Sequence, residues 1–599
     1  MQIPMPSRSQ RRSLYVSLAL VACGLAAPAR AQAPAAEEAP FSERVDVEVV
    51  SVDVIVTDPR KGRVVDLGKD DFEVLVDGRA VAIDYFAAPR LAAPQPAPAL
   101  TAESLPELPV APRPAPAVLT PTNLVIYVDQ TALENRARHE TVTELREFLA
   151  ARPAGGDRVM VAAFEQDLRV LLQPTTDPVR IAAALDELES RPSLAKLTSS
   201  ERTQLYQDIR AYGRNAMRVS GGMAAIRAAR IQEGEVIRLE NEITLWAEQV
   251  LDREARSVES LERLVRALAA SEGRKAVVLA TAGIQGYPAR GLFAALDQQR
   301  GVVTSSDSQR SPSLEQRGLE TLRQFEQMVH AAQNARVAFY TVSPVVQPPY
   351  ENSAEFGSAG PRAAIPLPRD LGTMEASSSI ARLAGATGGA TFNIASDLDR
   401  HLEAVTADID ATYSLGFSTG AEAGDKTHKI DVRVRRPGLD VRHRESFQRS
   451  SATERAESAL SAAVTFGQAE NPLEITLRLG EGRSEGKKKG GQIVPLAVGM
   501  PLRFLTLVPS GDVRSGKVSV RVAIQDARGR LLESGAATVP IVVPVFLTPV
   551  KLAHIACVKH QGNKNLFAGG GNVRRLPVLS KALDAVICSC VTFYLQTFK

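Results

Sequence analysis

Val45-Asp46-Val47-Glu48-Val49 and Val52-Asp53-Val54-Ile55-Val56 alternate apolar and polar residues with a period of two, the mark of a half-buried strand. Lys61-Gly62-Arg63 reads as a turn, and Phe72 to Val76 followed by Asp77-Gly78 predicts a strand entering a tight hairpin. Residues 41–87 are therefore expected to form a small antiparallel β domain. The proline- and alanine-rich stretch 88–121 suits an extended linker.

From residue 122 the pattern changes. Leu124 to Val128 is a short, wholly apolar run ending in Asp129, and a charged helical stretch follows at 134–152. Further buried-type strands are expected at 158–164, 276–281, 337–342 and 390–394, with helices at 177–190, 314–334, 376–387 and 396–412. Alternating strands and helices predict an α/β fold with a doubly wound, mostly parallel sheet over 122–448. Within it, Val236, Leu239, Ile243, Trp246 and Val250 are spaced three and four apart. Val258, Leu261, Val265 and Leu268 resume that spacing after a break at Arg253 to Ser257, so 199–271 reads as a helical insertion forming a hairpin against the sheet. Alternating runs at 473–479, 493–507 and 517–524 predict a C-terminal β domain over 468–545 that ends incomplete.

The leader changes the charge balance and the expected location. Arg11-Arg12, the apolar run from Leu14 to Ala22 and Ala29-Arg30-Ala31 form the three parts of a signal peptide over 1–31, so export to the periplasm, cell envelope or medium is expected. Leu20-Val21-Ala22-Cys23 also fits a lipoprotein box, which makes Cys23 a lipidation candidate. Beyond the leader 67 basic and 68 acidic side chains remain, net −1, so nothing attracts the chain globally to nucleic acid. No other stretch approaches the roughly 20 apolar residues of a membrane span. The other cysteines, Cys557, Cys588 and Cys590, all lie in 546–599, a tail of net +6 charge. That abrupt shift marks the tail as atypical and raises the prospect of a frameshifted end.

Several motifs together resemble a known family, the bacterial von Willebrand factor A-related proteins, exported and common in acidobacteria. The residues that carry the resemblance are Val54-Ile55-Val56-Thr57-Asp58, Lys61-Gly62-Arg63, Asp70 to Val74, Gly273 to Val278, Val337 to Val342, Leu383-Ala384 with Thr387-Gly388-Gly389, Tyr413 to Ser418, and His428 to Gly438. The resemblance implies a sheet sandwiched by helices and preceded by a β domain. It also implies protein binding at the carboxyl end of the sheet, in relatives often through a metal.

The resemblance can be tested residue by residue. A magnesium ion requires near-octahedral oxygen ligands. The family pattern ends its first strand in D-x-S-x-S, where this chain has Asp129-Gln130-Thr131-Ala132-Leu133, and it places a second aspartate where this chain has Thr281-Ala282-Gly283. Asp129 and Thr131 survive as vestigial ligand candidates, so a degenerate metal site with weak or no magnesium binding is expected. The edge formed by Asp129, Thr131, Thr281 and Gly283 is the expected binding surface. The expected function is a non-enzymatic adhesion or scaffold protein with a protein partner and no small-molecule substrate. The alternatives are a metal-dependent adhesin whose partner completes the coordination, and a serine hydrolase. The hydrolase reading rests on Gly416-Phe417-Ser418-Thr419-Gly420 with His428 and Asp431 nearby, but the required strand–turn–helix context is not predicted.

Overall fold

The computed structural model describes residues 49–89, 122–151, 157–216, 223–300, 311–343, 371–393, 398–418 and 426–544, with short gaps, and the strands 552–559 and 591–598. The leader, Cys23 and linker residues 90–121 lie outside the described residues, as do Cys588 and Cys590. Among the described residues no helix is long and apolar enough to cross a membrane.

The chain opens with β1 (Val49–Asp58), β2 (Gly62–Arg63), β3 (Phe72–Val76), β4 (Arg79–Val81) and β5 (Tyr85–Ala87). It then builds a mixed α/β module from β6 (Thr122–Asp129), α1 (Asn135–Ala151), β7 (Arg158–Phe164), β8 (Leu168–Thr175), α2 (Pro178–Ser190), α3 (Ala195–Ala216), α4 (Met223–Ala269), β9 (Arg274–Ala280), α5 (Arg290–Arg300), α6 (Pro312–Asn334), β10 (Val337–Ser343), α7 (Leu371–Thr387), β11 (Ala390–Asn393) and α8 (Leu398–Asp410). The sheet order is β11-β10-β9-β6-β7-β8, parallel throughout except for the edge strand β8.

Strand β6 shows why the sequence gives this arrangement. Its side chains are buried on both faces: Leu124, Ile126 and Val128 join one core, and Val125 and Tyr127 the other. The first core is closed by α1, α2 and α8 through Val142, Leu145, Leu185, Leu188, Leu402 and Val405. The second is closed by α4 and α6 through Leu261, Leu264, Leu268, Phe325 and Met328. A continuous apolar run, without alternation, is what such a doubly covered parallel strand requires. Each such side chain stabilises the fold by roughly 1.5–3 kcal/mol.

Helix α4 is one uninterrupted helix of 47 residues. Leu239, Ile243, Trp246 and Val250 of its first half meet Leu205 and Ile209 of α3 and Leu292, Phe293 and Leu296 of α5. The second half lies on the sheet. Over the stretch 199–271 the described elements are α3 and α4, packed against each other through this cluster, with residues 217–222 between them outside the described residues.

The strands after α8 depart from the expected boundary at 448. β12 (Tyr413–Ser418), β13 (Thr427–Val434), β14 (Asp440–His443) and β15 (Ser446–Gln448) do not extend the α/β sheet. They complete the N-terminal strands, giving the orders β14-β1-β12-β5 and β15-β13-β3-β4 around a shared core of Val52, Val54, Phe72, Val74, Tyr413, Leu415, Phe417, Ile430 and Phe447. The β domain expected at 41–87 is thus half of a discontinuous module. Its own strands are too few to bury one face; residues 413–448 supply the rest.

After α9 (Ala452–Phe466) come β16 (Thr476–Leu479), β17 (Arg483–Ser484), β18 (Gln492–Met500), β19 (Val508–Ser510), β20 (Val513–Gln525) and β21 (Leu531–Pro544). Val498, Met500, Val518, Val522, Ile541 and Val543 form their core. From the tail, β22 (Leu552–Lys559) pairs with β18 and β23 (Val591–Phe598) with β20, so the boundary expected at 545 is crossed by strand pairing. Cys557 stands opposite Pro495 in that ladder.

Candidate functional site

Asp129 ends β6 at the carboxyl edge of the parallel sheet, beside the end of β9 and the loop Thr281-Ala282-Gly283. One Asp129 oxygen accepts from the Thr131 amide at 2.9 Å and from the Thr131 hydroxyl at 2.6 Å. The other accepts from the Thr281 hydroxyl at 3.3 Å. The Thr281 hydroxyl in turn accepts from the Gly283 amide at 3.3 Å. The sequence-predicted residues are therefore brought together, and as a hydrogen-bonded set.

They are not presented to solvent. Asp129, Thr131 and Thr281 are only 5–7% exposed, and Gly283 is buried. Helix α7 covers the loop: Ser379 accepts from the Ile284 amide at 2.8 Å, and Glu375 accepts from the Tyr287 amide at 3.1 Å. Gly283 has φ +97°, and a Cβ there would stand 2.1 Å from the Ala376 carbonyl oxygen, so only glycine fits. As a direct contact surface the four residues are displaced inward. What remains exposed after β6 is Glu134 and, at the start of α1, Asn135; after β9 come the partly exposed Tyr287 and, at the start of α5, Arg290, whose guanidinium lies 4.3 Å over the Tyr287 ring.

The sequence reading missed two acidic groups. Glu254 of α4 is buried and close enough to Asp129 and Glu375 for their charges to act on it. Burial pushes Glu254 up to about 7, with Arg253 opposing the rise and Asp129 adding to it. Burial also raises Asp129 above the ordinary carboxylate range, against the Thr131 hydrogen bonds. Glu375 is raised by burial too. The signal for Glu254 was present: it stands four residues after Val250 and four before Val258, at the break in the apolar stripe. Read as an interruption, that break is where α4 turns acid and hydroxyl toward the sheet. Ser257 and Ser260 are buried there, and Ser260 is hydrogen-bonded to the Tyr127 hydroxyl at 2.8 Å.

Against the near-octahedral oxygen shell of a magnesium ion, this edge offers one carboxylate, Asp129, and the hydroxyls of Thr131 and Thr281. The Asp129 oxygens and the Thr131 and Thr281 hydroxyls are engaged with one another, and the buried Leu133 offers no oxygen. Glu254 shares its surroundings with Arg253, 3.4 Å away, and is raised toward its protonated form. Among the described residues no group of three or more His, Cys, Asp or Glu side chains is placed to hold a metal ion.

The hydrolase constellation is not assembled. Ser418 donates to Asp84 at 2.5 Å, His428 faces Asp77 at 2.8 Å, and Asp431 accepts from Arg433 at 3.0 Å. Ser418 ends a strand, and the next element among the described residues is another strand, from Thr427.

No protein-family model matches the sequence, and no curated protein matches it. Among solved structures, the chain is similar to an aerotolerance-related membrane protein from Bacteroides fragilis, at 11% identity over 48% of this chain and 98% of that one, with TM-score 0.20. It is similar to a conserved hypothetical protein, BatB, from Bacteroides thetaiotaomicron, at 8% identity over 48% and 97% of the two chains, with TM-score 0.21. It is also similar to the pilus adhesin SpaC from Lactobacillus rhamnosus GG, at 7% identity over 73% and 52%, with TM-score 0.23.

Proposed function

We propose that this is an exported, non-enzymatic interaction protein whose α/β module is von Willebrand factor A-like and docks a protein partner at the carboxyl edge of its sheet. The observation that carries the reading is the closed hydrogen-bond set of Asp129, Thr131 and Thr281. Where such a module would hold a cation, this chain fills the position with its own donors. The set shapes the edge from beneath, and contact falls to Glu134, Asn135, Tyr287 and Arg290. The leader over 1–31 supports delivery outside the cytoplasm, with Cys23 as the lipid-anchor candidate.

Photo-crosslinking in the cell envelope tests the docking edge. A crosslinker at Glu134 or Tyr287 of the full chain should give the same discrete protein adduct, absent with the crosslinker at the exposed Asp512 of the C-terminal β domain. Adducts of equal yield from all three positions, or none from the edge, would overturn this placement.

A second reading is favoured by one observation: the Glu254 carboxyl beside Asp129 gives a metal-dependent adhesin a second acid. Metal binding separates the two.

A further inference from the structure

The opposite, amino-terminal edge of the parallel sheet carries a different chemistry. Between the starts of β6, β9 and β10 and the β module lies a cavity of about 50 Å³. Arg274, Lys275, Arg336 and Arg444 line it, with Asp53 as the one carboxylate in its wall among the described residues. Four cations against one anion is a net of three positive charges. Lys275 and Arg444 are only 8% and 7% exposed.

Neutral carbonyls occupy much of this donor capacity. Arg274 donates to Ile409 and Thr412 carbonyls at 3.2 and 2.9 Å, and Lys275 to the Ala335 carbonyl at 3.0 Å. Arg444 donates to the Gln333 and Ser51 carbonyls at 2.5 and 2.9 Å. Several of these carbonyls lie at helix ends, whose partial negative charge orients the guanidiniums without neutralising them. Asp53 is shared among Arg336 at 3.2 Å, Arg274 at 3.8 Å and the Ser414 hydroxyl at 2.6 Å. The Nε atoms of Arg336 and Arg444 are buried and have no hydrogen-bond partner. Arg336 has Asp53 as its counter-ion, whereas Lys275 and Arg444 are buried against neutral carbonyls, and a buried charge without a counter-ion is strongly disfavoured. Burial and the neighbouring Arg336 already push Lys275 down to about 8 and Arg444 down to about 9.

We propose that this cavity binds a small inorganic oxyanion of the phosphate or sulfate class, which clamps the β module to the base of the α/β sheet. The volume admits a few water-sized spheres, hence one tetrahedral anion and nothing much larger. Guanidinium forks suit the oxygens of such an anion geometrically. Water could fill the same space but would leave the charge uncompensated.

The test is calorimetry and thermal unfolding of the full chain in a zwitterionic buffer, with inorganic phosphate, sulfate and, for comparison, chloride. The expected result is a saturable heat with phosphate or sulfate and a melting temperature that rises with the logarithm of their concentration. R444M and R336Q should each weaken binding about tenfold, the effect of one lost charge-assisted hydrogen bond. If R444M does not fold, R336Q, at a side chain 32% exposed, and the charge-retaining R444K carry the comparison. Excluded salts stabilise proteins generally. A rise of equal size in wild type and R336Q without saturable heat would therefore overturn the proposal, as would no response to either oxyanion.

Discussion

The Thr131 hydroxyl donates to the Asp129 carboxylate at 2.6 Å in a site where both side chains are buried. Together with the Thr131 amide and the Thr281 hydroxyl it gives Asp129 protein partners on both oxygens. Removing the acceptor strands buried donors, which is costlier than never having had the bond. Asp129→Ala should therefore lower stability by about 1–3 kcal/mol, read as a fall in the urea midpoint at unchanged slope. A variant as stable as wild type would show that these bonds do not form.

Glu254 predicts a pH dependence. Its carboxyl titrates near 7 in the folded chain and near the ordinary 4.5 once unfolded, because burial disfavours its charged form. The folded state therefore binds the proton more tightly. Glu254's contribution is complete below about 4.5 and is lost as pH rises through about 7. Glu254→Gln stays neutral, so it should be more stable than wild type above pH 7, by up to roughly 3 kcal/mol, and the gap should close at acid pH. Chemical denaturation at both ends of that window checks it; a gap independent of pH would contradict it.

Asp408 bridges the two modules. Its fully buried carboxylate accepts from Arg63 of β2 and Arg442 of β14, each at 2.6 Å. Asp408→Ala would leave both guanidiniums without their counter-ion, and such a loss typically costs about 3–5 kcal/mol. The expected phenotype is a large drop in unfolding midpoint, with limited proteolysis appearing first near the β12–β15 strands.

Gly283→Ala places a methyl group against the Ala376 carbonyl and forces a left-handed backbone on an alanine. The backbone alone costs about 1–2 kcal/mol, and the clash adds to it. A melting temperature close to wild type would mean that α7 does not close over this loop.

Much of the α/β framework was legible because apolar runs and amphipathic stripes are local signals: the strand at 158–164 was read to the residue, and α2, α6 and β10 to within two. The β module was harder, since its halves are separated by more than 300 residues and nothing local in 413–448 says which sheet its strands join. The antiparallel edge β8 went unread because Leu168–Thr175 has only one buried residue and thus no strong pattern. Helix α9 went unread although Ser451 and Glu454 form a capping box and Gly467 closes it with φ 62°. At the site, Asp129, Thr131 and Thr281 announced themselves by motif. Glu254 did not, because its partner lies 125 positions away. Burial of the edge depends on α7 and was invisible from the motif.

The measurement that bears most directly on the docking-scaffold account is titration calorimetry of the full chain with magnesium and with manganese, repeated on Asp129→Asn. The account predicts no saturable heat for either ion, because the oxygens that would ligate are already bonded to one another. Saturable binding in wild type that vanishes in Asp129→Asn would contradict it, and would make Glu254 the replacement ligand of a working metal centre.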